Sequence, residues 1–433
     1  MTGEKRVRAR FSVFAIARDI IFVMLGKYGQ YVVTLVTLPL TARILGTTGV
    51  GHLAIGMSGY FIGSLVVDLG IPSFLAARVG DDDINQIRGN YFAIRATVLS
   101  AVGISLLVGL MMHAGTHVWM ILLGLFVGGF SAISEDWLLI GAGRFGSSIL
   151  YQASGRIVYL VLLFTLLPQF PTATTALMCL FYSSILSVSL TWWDSLRHFG
   201  LPPRPRDVGW ILRIGGPVFA SRLLVSTYGQ GAPAVYSSVL DAASLGLYSA
   251  SDRVVRAIQA MLDPIGLALL PRMAQTGEDR FWGRSMRALA AIVGVATAAT
   301  VCVWVAAPLI VNVVFGAKFA GAIPIMRFES LILPATAITS FSTTAVLSVL
   351  EDSIGVLIGA VIGTVITICS VLMTIQTRSV WTLVYGTITA ECCVAAWFAF
   401  RLWRHAANNR TPRQAVTEPV EPAGVAPGEM GNA

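Results

Sequence analysis

Apolar runs of about twenty residues, separated by short polar stretches, recur from residue 19 to residue 401. A bilayer core about 30 Å thick is crossed by a helix of about 20 apolar residues, and on that ruler the pattern predicts twelve spans. Six run approximately over 19–42, 49–70, 90–112, 117–140, 147–168 and 173–193. Six more run approximately over 209–232, 243–270, 287–310, 322–350, 354–375 and 380–401. Between the two sets lies Arg197–Asp207 (RHFGLPPRPRD), which is too polar and too rich in proline to span. The chain is therefore expected to divide into a basic N-terminus (1–18), an N-lobe (19–196), a linker (197–207), a C-lobe (208–403) and a tail (404–433). The tail sets Pro412, Pro419, Pro422 and Pro427 among Ala, Gly and Glu, and is expected to be disordered.

Loop charges orient these spans. One side collects Arg78, Arg88, Arg144, Arg197, Arg204, Arg206, Arg272, Arg280, Arg284, Arg404, Arg410 and Arg413. The other offers Arg43, Lys318 and Arg378. Basic residues concentrate on the cytoplasmic side of membrane proteins, so both termini are expected there. Only the turn at Glu351-Asp352 lacks a cation on its side. The basic stretch Lys5–Arg10 precedes an apolar segment with no small-residue cleavage site, and reads as the start of a retained first helix.

Composition agrees with this picture. The chain is 55% hydrophobic and 12% charged, with a mean hydropathy of +0.75, whereas soluble domains carry about 25% charged residues. The formal net charge of +8 comes from membrane-border cations, with no basic stripe interleaved with aromatics, so no nucleic-acid partner is expected. Cys179, Cys302, Cys369, Cys392 and Cys393 fall in apolar runs without metal or disulfide spacing, and read as small buried hydrophobes. His113 and His117 stand four apart in an outer loop and read as loop polars rather than metal ligands. No phosphate-binding loop, zinc motif or nucleophile elbow occurs, so neither an enzyme nor a nucleotide-driven pump is indicated, and no cofactor is expected.

The chemistry lies in charges inside the spans. Lys27, Arg222, Arg253 and Arg256 interrupt otherwise apolar runs, although a cation at the centre of a membrane helix costs about 2.5–3.5 kcal/mol. Such residues face a packed interior or a water-filled cavity, and this excess of cations points to a negatively charged ligand. Asp252 stands four residues before Arg256, so the two can pair on one helix face. Arg222 has no acid in its span, Arg253 has no obvious local partner, and Asp19 is too far along the helix to reach Lys27. Asp68, Asp252 and the deep Glu391 are candidates for ion coupling or gating. Asp68 and Arg78, like Glu135, Asp136, Arg327 and Glu329, lie nearer span ends, where the plainer expectation is an interfacial position with a hydrated head. Gly26, Gly29, Pro39, Gly56, Gly59, Gly63 and Gly215-Gly216-Pro217 suit either bending or close helix packing.

A faint repeat links the halves. Val50-Gly51-His52-Leu53-Ala54 opens the second span, and Leu245-Gly246-Leu247-Tyr248-Ser249 opens the eighth, some 195 residues later. Two six-helix repeats in the same sense would be related by an axis along the membrane normal.

Several motifs carry a family resemblance. Leu38-Pro39-Leu40-Thr41-Ala42-Arg43-Ile44-Leu45-Gly46, then Val50–Ala54, Asp68-Leu69-Gly70 and Arg78, resemble the opening of the Wzx-type polysaccharide and oligosaccharide flippases. These belong to the multidrug/oligosaccharidyl-lipid/polysaccharide exporter superfamily. Asp136-Trp137…Gly141…Arg144-Phe145, Leu245–Val254, Leu270-Pro271-Arg272 and Phe315–Ala322 are similar to later family segments in the same order. The resemblance covers roughly residues 15–400. Two departures stand out: Ile140 replaces a common glutamine, and the tract around Gln230–Pro233 lacks an aspartate often found there.

The resemblance implies an all-α membrane protein of about twelve helices in two six-helix lobes around a central cavity. It implies transport by alternating access of a polyprenyl-(pyro)phosphate-linked glycan across the bacterial cytoplasmic membrane. Lys27, Arg222, Arg253 and Arg256 would then contact the phosphate. Partners would be the lipid-linked glycan, membrane lipids, and polysaccharide polymerase and glycosyltransferases. The rival readings are a drug/cation antiporter of the same superfamily, a membrane glycosyltransferase and a scaffold component.

Overall fold

The computed structural model describes the backbone of residues 3–80, 83–228, 230–274, 278–347, 350 and 352–407. Within these, the side chains of residues 3–28, 30–32, 35, 214, 227–228, 262–274, 278–281 and 353 lie outside the description. The described chain is helical. Helix α1 (Gly3–Asp68) holds the first two predicted spans and breaks at Gly46, where φ 67° and ψ −174° form a combination essentially restricted to glycine. It is followed by α2 (Ile84–Met111), α3 (Thr116–Ser131), α4 (Phe145–Leu166), α5 (Ala173–Phe199), α6 (Val208–Tyr228), α7 (Ala242–Ala274) and α8 (Glu278–Ile310). Then come α9 (Ala322–Val346), α10 (Ser353–Thr377) and α11 (Val380–Ala407). Ten described helices are long and apolar enough to cross a membrane. The arm of α1 before Gly46 and helix α7 supply the remaining two predicted spans.

Close packing explains the glycines of the second span. A Cβ built on Gly59 falls 2.6 Å from Ile121 O, and one on Gly63 falls 2.1 Å from Leu125 O. Gly124 and Gly128 of α3 return the favour against Gly56 O and Tyr60 O, so α1 and α3 approach backbone to backbone.

At the linker end Ile211 of α6 packs with Ile71, Leu75 and Tyr91; the more extensive contact between the halves lies at the other end. One apolar cluster joins Leu53, Met120 and Leu177 to Tyr236, Leu245 and Leu383, and another joins Leu38, Ala42 and Val50 to Ala250, Val311 and Phe315. This is called the far end. At the opposite, linker end, helix α5 stops at Gly200 (φ 71°) and the chain runs back across α2. There Gln86 Nε2 donates to Arg204 O (3.1 Å), Asn90 Nδ2 donates to Asp207 O (2.8 Å), and Arg206 N–H donates to Asn90 Oδ1 (2.8 Å).

Several expectations are corrected here. Glu135 is not interfacial: it is 1% exposed, between Arg88 (1%) and Arg95 (0%). Arg88, expected in a loop, points into the bundle, where Nε lies 3.4 Å from Glu135 Oε2 and Nη2 donates to Ser195 Oγ at 2.7 Å. Arg95 bonds the other carboxylate oxygen and Ser134 O (2.9 Å), with its guanidinium over the Tyr91 ring. Glu329 is likewise fully buried rather than hydrated. Among the cysteines only Cys179 is buried; Cys302, Cys369, Cys392 and Cys393 are exposed on outward helix faces, and all are free. His117 turns away from His113, with Nδ1 2.9 Å from Ser237 O and its ring 5.5 Å from that of His52.

Candidate functional site

Two chambers lie between the halves. The inner one, about 370 Å³, is walled by both arms of α1 and by α7. Positions four apart share a helix face, so Thr37 and Thr41 line it together, as do Met57 and Phe61. Helix α7 contributes Ser249, Asp252, Arg253, Arg256 and Gln259, and α4 contributes Tyr159. The second chamber, about 1080 Å³, lies toward the linker end and is lined by Asp68, Arg222, Ser226, Thr343 and Asp352. Phe61 and Gln230 border both chambers, which therefore adjoin.

Charge in these chambers is unevenly satisfied. Arg256 Nε donates to Asp252 Oδ1 at 2.7 Å, the i, i+4 pair that the spacing permits, while its Nη2 is buried with no partner. Arg222 and Arg253 form no hydrogen bond or salt bridge among the described residues. The Arg222 chain crosses the start of the loop after α1, where a Cβ on Gly70 (φ +66°) would fall 2.6 Å from its Cδ. Asp68 Oδ1 accepts the Gly70 N–H at 2.6 Å. Its backbone oxygen accepts from Tyr91 Oη at 2.9 Å, which ties the chamber to the buried Arg95 group.

Behind the inner chamber sits an acid-rich pocket. Glu391 is 6% exposed and faces Arg256 and Asp252. Glu329 neighbours Asp252 and Tyr248, and among the described residues neither of its carboxyl oxygens makes a well-formed hydrogen bond. Gln259 Oε1 is also buried without a partner. At the mouth of the outer chamber, Asp352 accepts from Gly355 N–H (3.0 Å), from Arg401 Nη2 (2.5 Å at Oδ2) and from His405 Nε2 (2.9 Å). Burial pushes the Asp352 carboxyl up, but these donors outweigh it and hold the group at about 2, below its ordinary 3.8.

Of the residues singled out from sequence, Asp252, Arg253 and Arg256 thus share the inner chamber, Asp68 and Arg222 share the outer one, and Glu391 lies behind the Asp252–Arg256 pair. The Lys27 side chain lies outside the described residues. Sequence reasoning placed Glu329 at the interface and Asp352 in a turn, and did not single out Gln259 or Tyr159. The Asp352-x-x-Gly355 spacing is a helix N-cap signal that was there to be read, with Arg401 and His405 four apart on the facing helix. No local signal marks Glu329.

A site of this kind, with two unengaged guanidinium groups, suits an anion with several oxygens, because each planar fork offers paired donors. The fold has solved counterparts. A structure of the lipid II flippase MurJ in an inward closed conformation aligns over 92% of this chain and 94% of that one, at TM-score 0.74 and 14% identity. An inward-facing multidrug resistance MATE transporter of the MOP superfamily aligns over 88% of this chain and 100% of that one, at 0.64 and 16%. An outward-facing MATE transporter scores 0.55 at 15% identity, over 91% of this chain and 96% of that one. A search of curated protein sequences finds no match. The family model described as "Polysaccharide biosynthesis protein" matches residues 16–277, more than half the sequence and including both arms of α1 and the charged turns of α7, so the chain belongs to that family of membrane proteins.

Proposed function

We propose that this protein flips a polyprenyl-(pyro)phosphate-linked glycan from the cytoplasmic to the outer leaflet of a bacterial cytoplasmic membrane. The linker end, with most of the loop cations, faces the cytoplasm, as do both termini. The observation that carries the reading is the pair Arg222 and Arg253, which line two adjoining interlobe chambers with no acid bonded to either among the described residues. Arg222 receives the phosphate in the wider chamber and Arg253 holds it in the inner one. Arg256 is then drawn partly off Asp252, so the Asp252, Glu329 and Glu391 group exchanges a cation as the ligand passes. Lys27 is a further candidate contact on sequence grounds alone. Polysaccharide polymerase and glycosyltransferases act upstream and downstream of the flipped lipid.

A drug/cation antiporter would draw its substrate to cavity acids; here Asp252 is bonded to Arg256, Asp352 to Arg401, and Asp68 shares its chamber with Arg222. The test is glycan export in cells that carry Arg222→Ala or Arg253→Ala. Export is expected to fall at least about tenfold, the equivalent of about 1.4 kcal/mol in ligand stabilisation, with the protein still present in the membrane. Unchanged export in both variants overturns the assignment.

A further inference from the structure

Gly51 and Gly246 are the described glycines at which a side chain would enter the backbone of the other half. A Cβ built on Gly51 falls 1.6 Å from Ala242 O, and one built on Gly246 falls 1.9 Å from Thr47 O. The contact is reciprocal. Each glycine packs on the carbonyl one helical turn before the other glycine, and Thr47 and Ala242 stand at the same offset as Gly51 and Gly246. The sequence repeat therefore marks an approximate two-fold contact between the start of the second arm of α1 and the start of α7. The glycines of α1 that face α3 differ from these, because they lie within one half.

Two further bonds cross between the halves at this end. Arg43 Nη2 donates to Val313 O at 2.6 Å, and His117 Nδ1 lies 2.9 Å from Ser237 O. The wide chamber opens at the other end. We propose that the Gly51/Gly246 contact is the far-end gate, the surface that parts when the inner chamber opens to the opposite side, and that its closure requires both positions to lack a Cβ. Carbon and carbonyl oxygen in contact sit about 3.3–3.6 Å apart. A methyl group at either position therefore forces the two backbones apart by about 1.5 Å or more, and no rotamer change relieves it.

The inference rests on alternating access but not on the identity of the ligand, so its test reads accessibility rather than export. The five native cysteines are replaced by alanine and a single cysteine is placed in the inner chamber as Met57→Cys. Its labelling by a membrane-impermeant maleimide is timed from outside intact spheroplasts and from the cytoplasmic face of inverted vesicles. Gly51→Ala and Gly246→Ala are each expected to raise outside labelling at least tenfold and to lower cytoplasmic labelling. Gly294→Ala, where a Cβ meets nothing within 4 Å, is expected to change neither. If the gate variants fail to reach the membrane, the double variant Arg43→Ala/His117→Ala keeps both glycines and is expected to raise outside labelling severalfold. Labelling unchanged from both sides overturns the gate. A rise confined to the cytoplasmic face supports the gate and overturns the proposed orientation, and loss of export without any change in labelling also overturns the gate.

Discussion

Two groups of buried charge sit in the two halves of this molecule, and they are finished differently. In the N-terminal half, Glu135 bonds both Arg88 and Arg95, and the remaining donors reach Ser195, Gly200 O (3.3 Å), Ala132 O (3.2 Å) and Ser134 O. Only Nε of Arg95 is left over among these guanidinium nitrogens. In the C-terminal half, among the described residues, Arg256 has one bonded acid, Arg253 has none, and neither oxygen of Glu329 makes a well-formed hydrogen bond. The same residue types thus serve two ends. A network whose members nearly all have partners pins helix ends α2, α3 and α5 together. An incompletely partnered one keeps capacity for something that comes and goes. Burying charge is costly, and that cost is met either by fixed partners or by a ligand.

Breaking the fixed network should have the largest effect. Glu135→Ala leaves two buried guanidinium groups without their shared acid, and removing one partner of such a pair costs about 3–5 kcal/mol. Thermal unfolding of the purified protein should show that loss, or the variant should fail to accumulate in the membrane. A stability equal to the parent's would end the contrast.

A middle-sized effect is expected at Asp352, which is fixed like the N-terminal network yet lies at the mouth of the chamber. Charge-assisted hydrogen bonds contribute about 1.5–3 kcal/mol, so Asp352→Asn should lower the unfolding temperature by several degrees. The pH dependence has a definite sign. The folded carboxyl sits at about 2 against an ordinary 3.8, so its stabilisation is fully present above that ordinary value and is lost as pH falls through about 2. Unfolding temperatures of parent and Asp352→Asn should therefore converge between pH 4 and pH 2. Parallel curves over that window would remove Asp352 from the fixed class.

The smallest change in stability belongs to the ligand-facing cations. Arg253→Ala and Arg222→Ala lose no bonded partner among the described residues, so no partner is left buried and unpaired, and the loss should be well below that of Glu135→Ala. Near-parental unfolding together with lost export is the outcome that separates these positions from Glu135. A destabilisation as large as that of Glu135→Ala would place Arg253 among structural charges.

Several of these features were legible before the fold was seen. The Asp252–Arg256 pair follows from four-residue spacing within one helix, and the Gly51 and Gly246 repeat follows from letters alone. What that repeat does was not legible, because contact between residues some 195 apart depends on how the halves dock. Likewise Glu135 looked like a residue at a span end, since its partners Arg88 and Arg95 stand 47 and 40 positions away. The exposed cysteines were misread for a related reason: in a bilayer, an apolar position can face lipid as readily as core.

The sequence by itself determined where helices cross the membrane and which charges interrupt them, because transfer of a side chain from water to hydrocarbon is a property of each residue and its near neighbours. Only the tertiary structure decided which charges are satisfied, which remain available and which backbones touch. Those outcomes depend on which helix faces meet, and the bilayer, which favours every apolar face alike, leaves that choice to the packing of small residues and the pairing of buried polar groups.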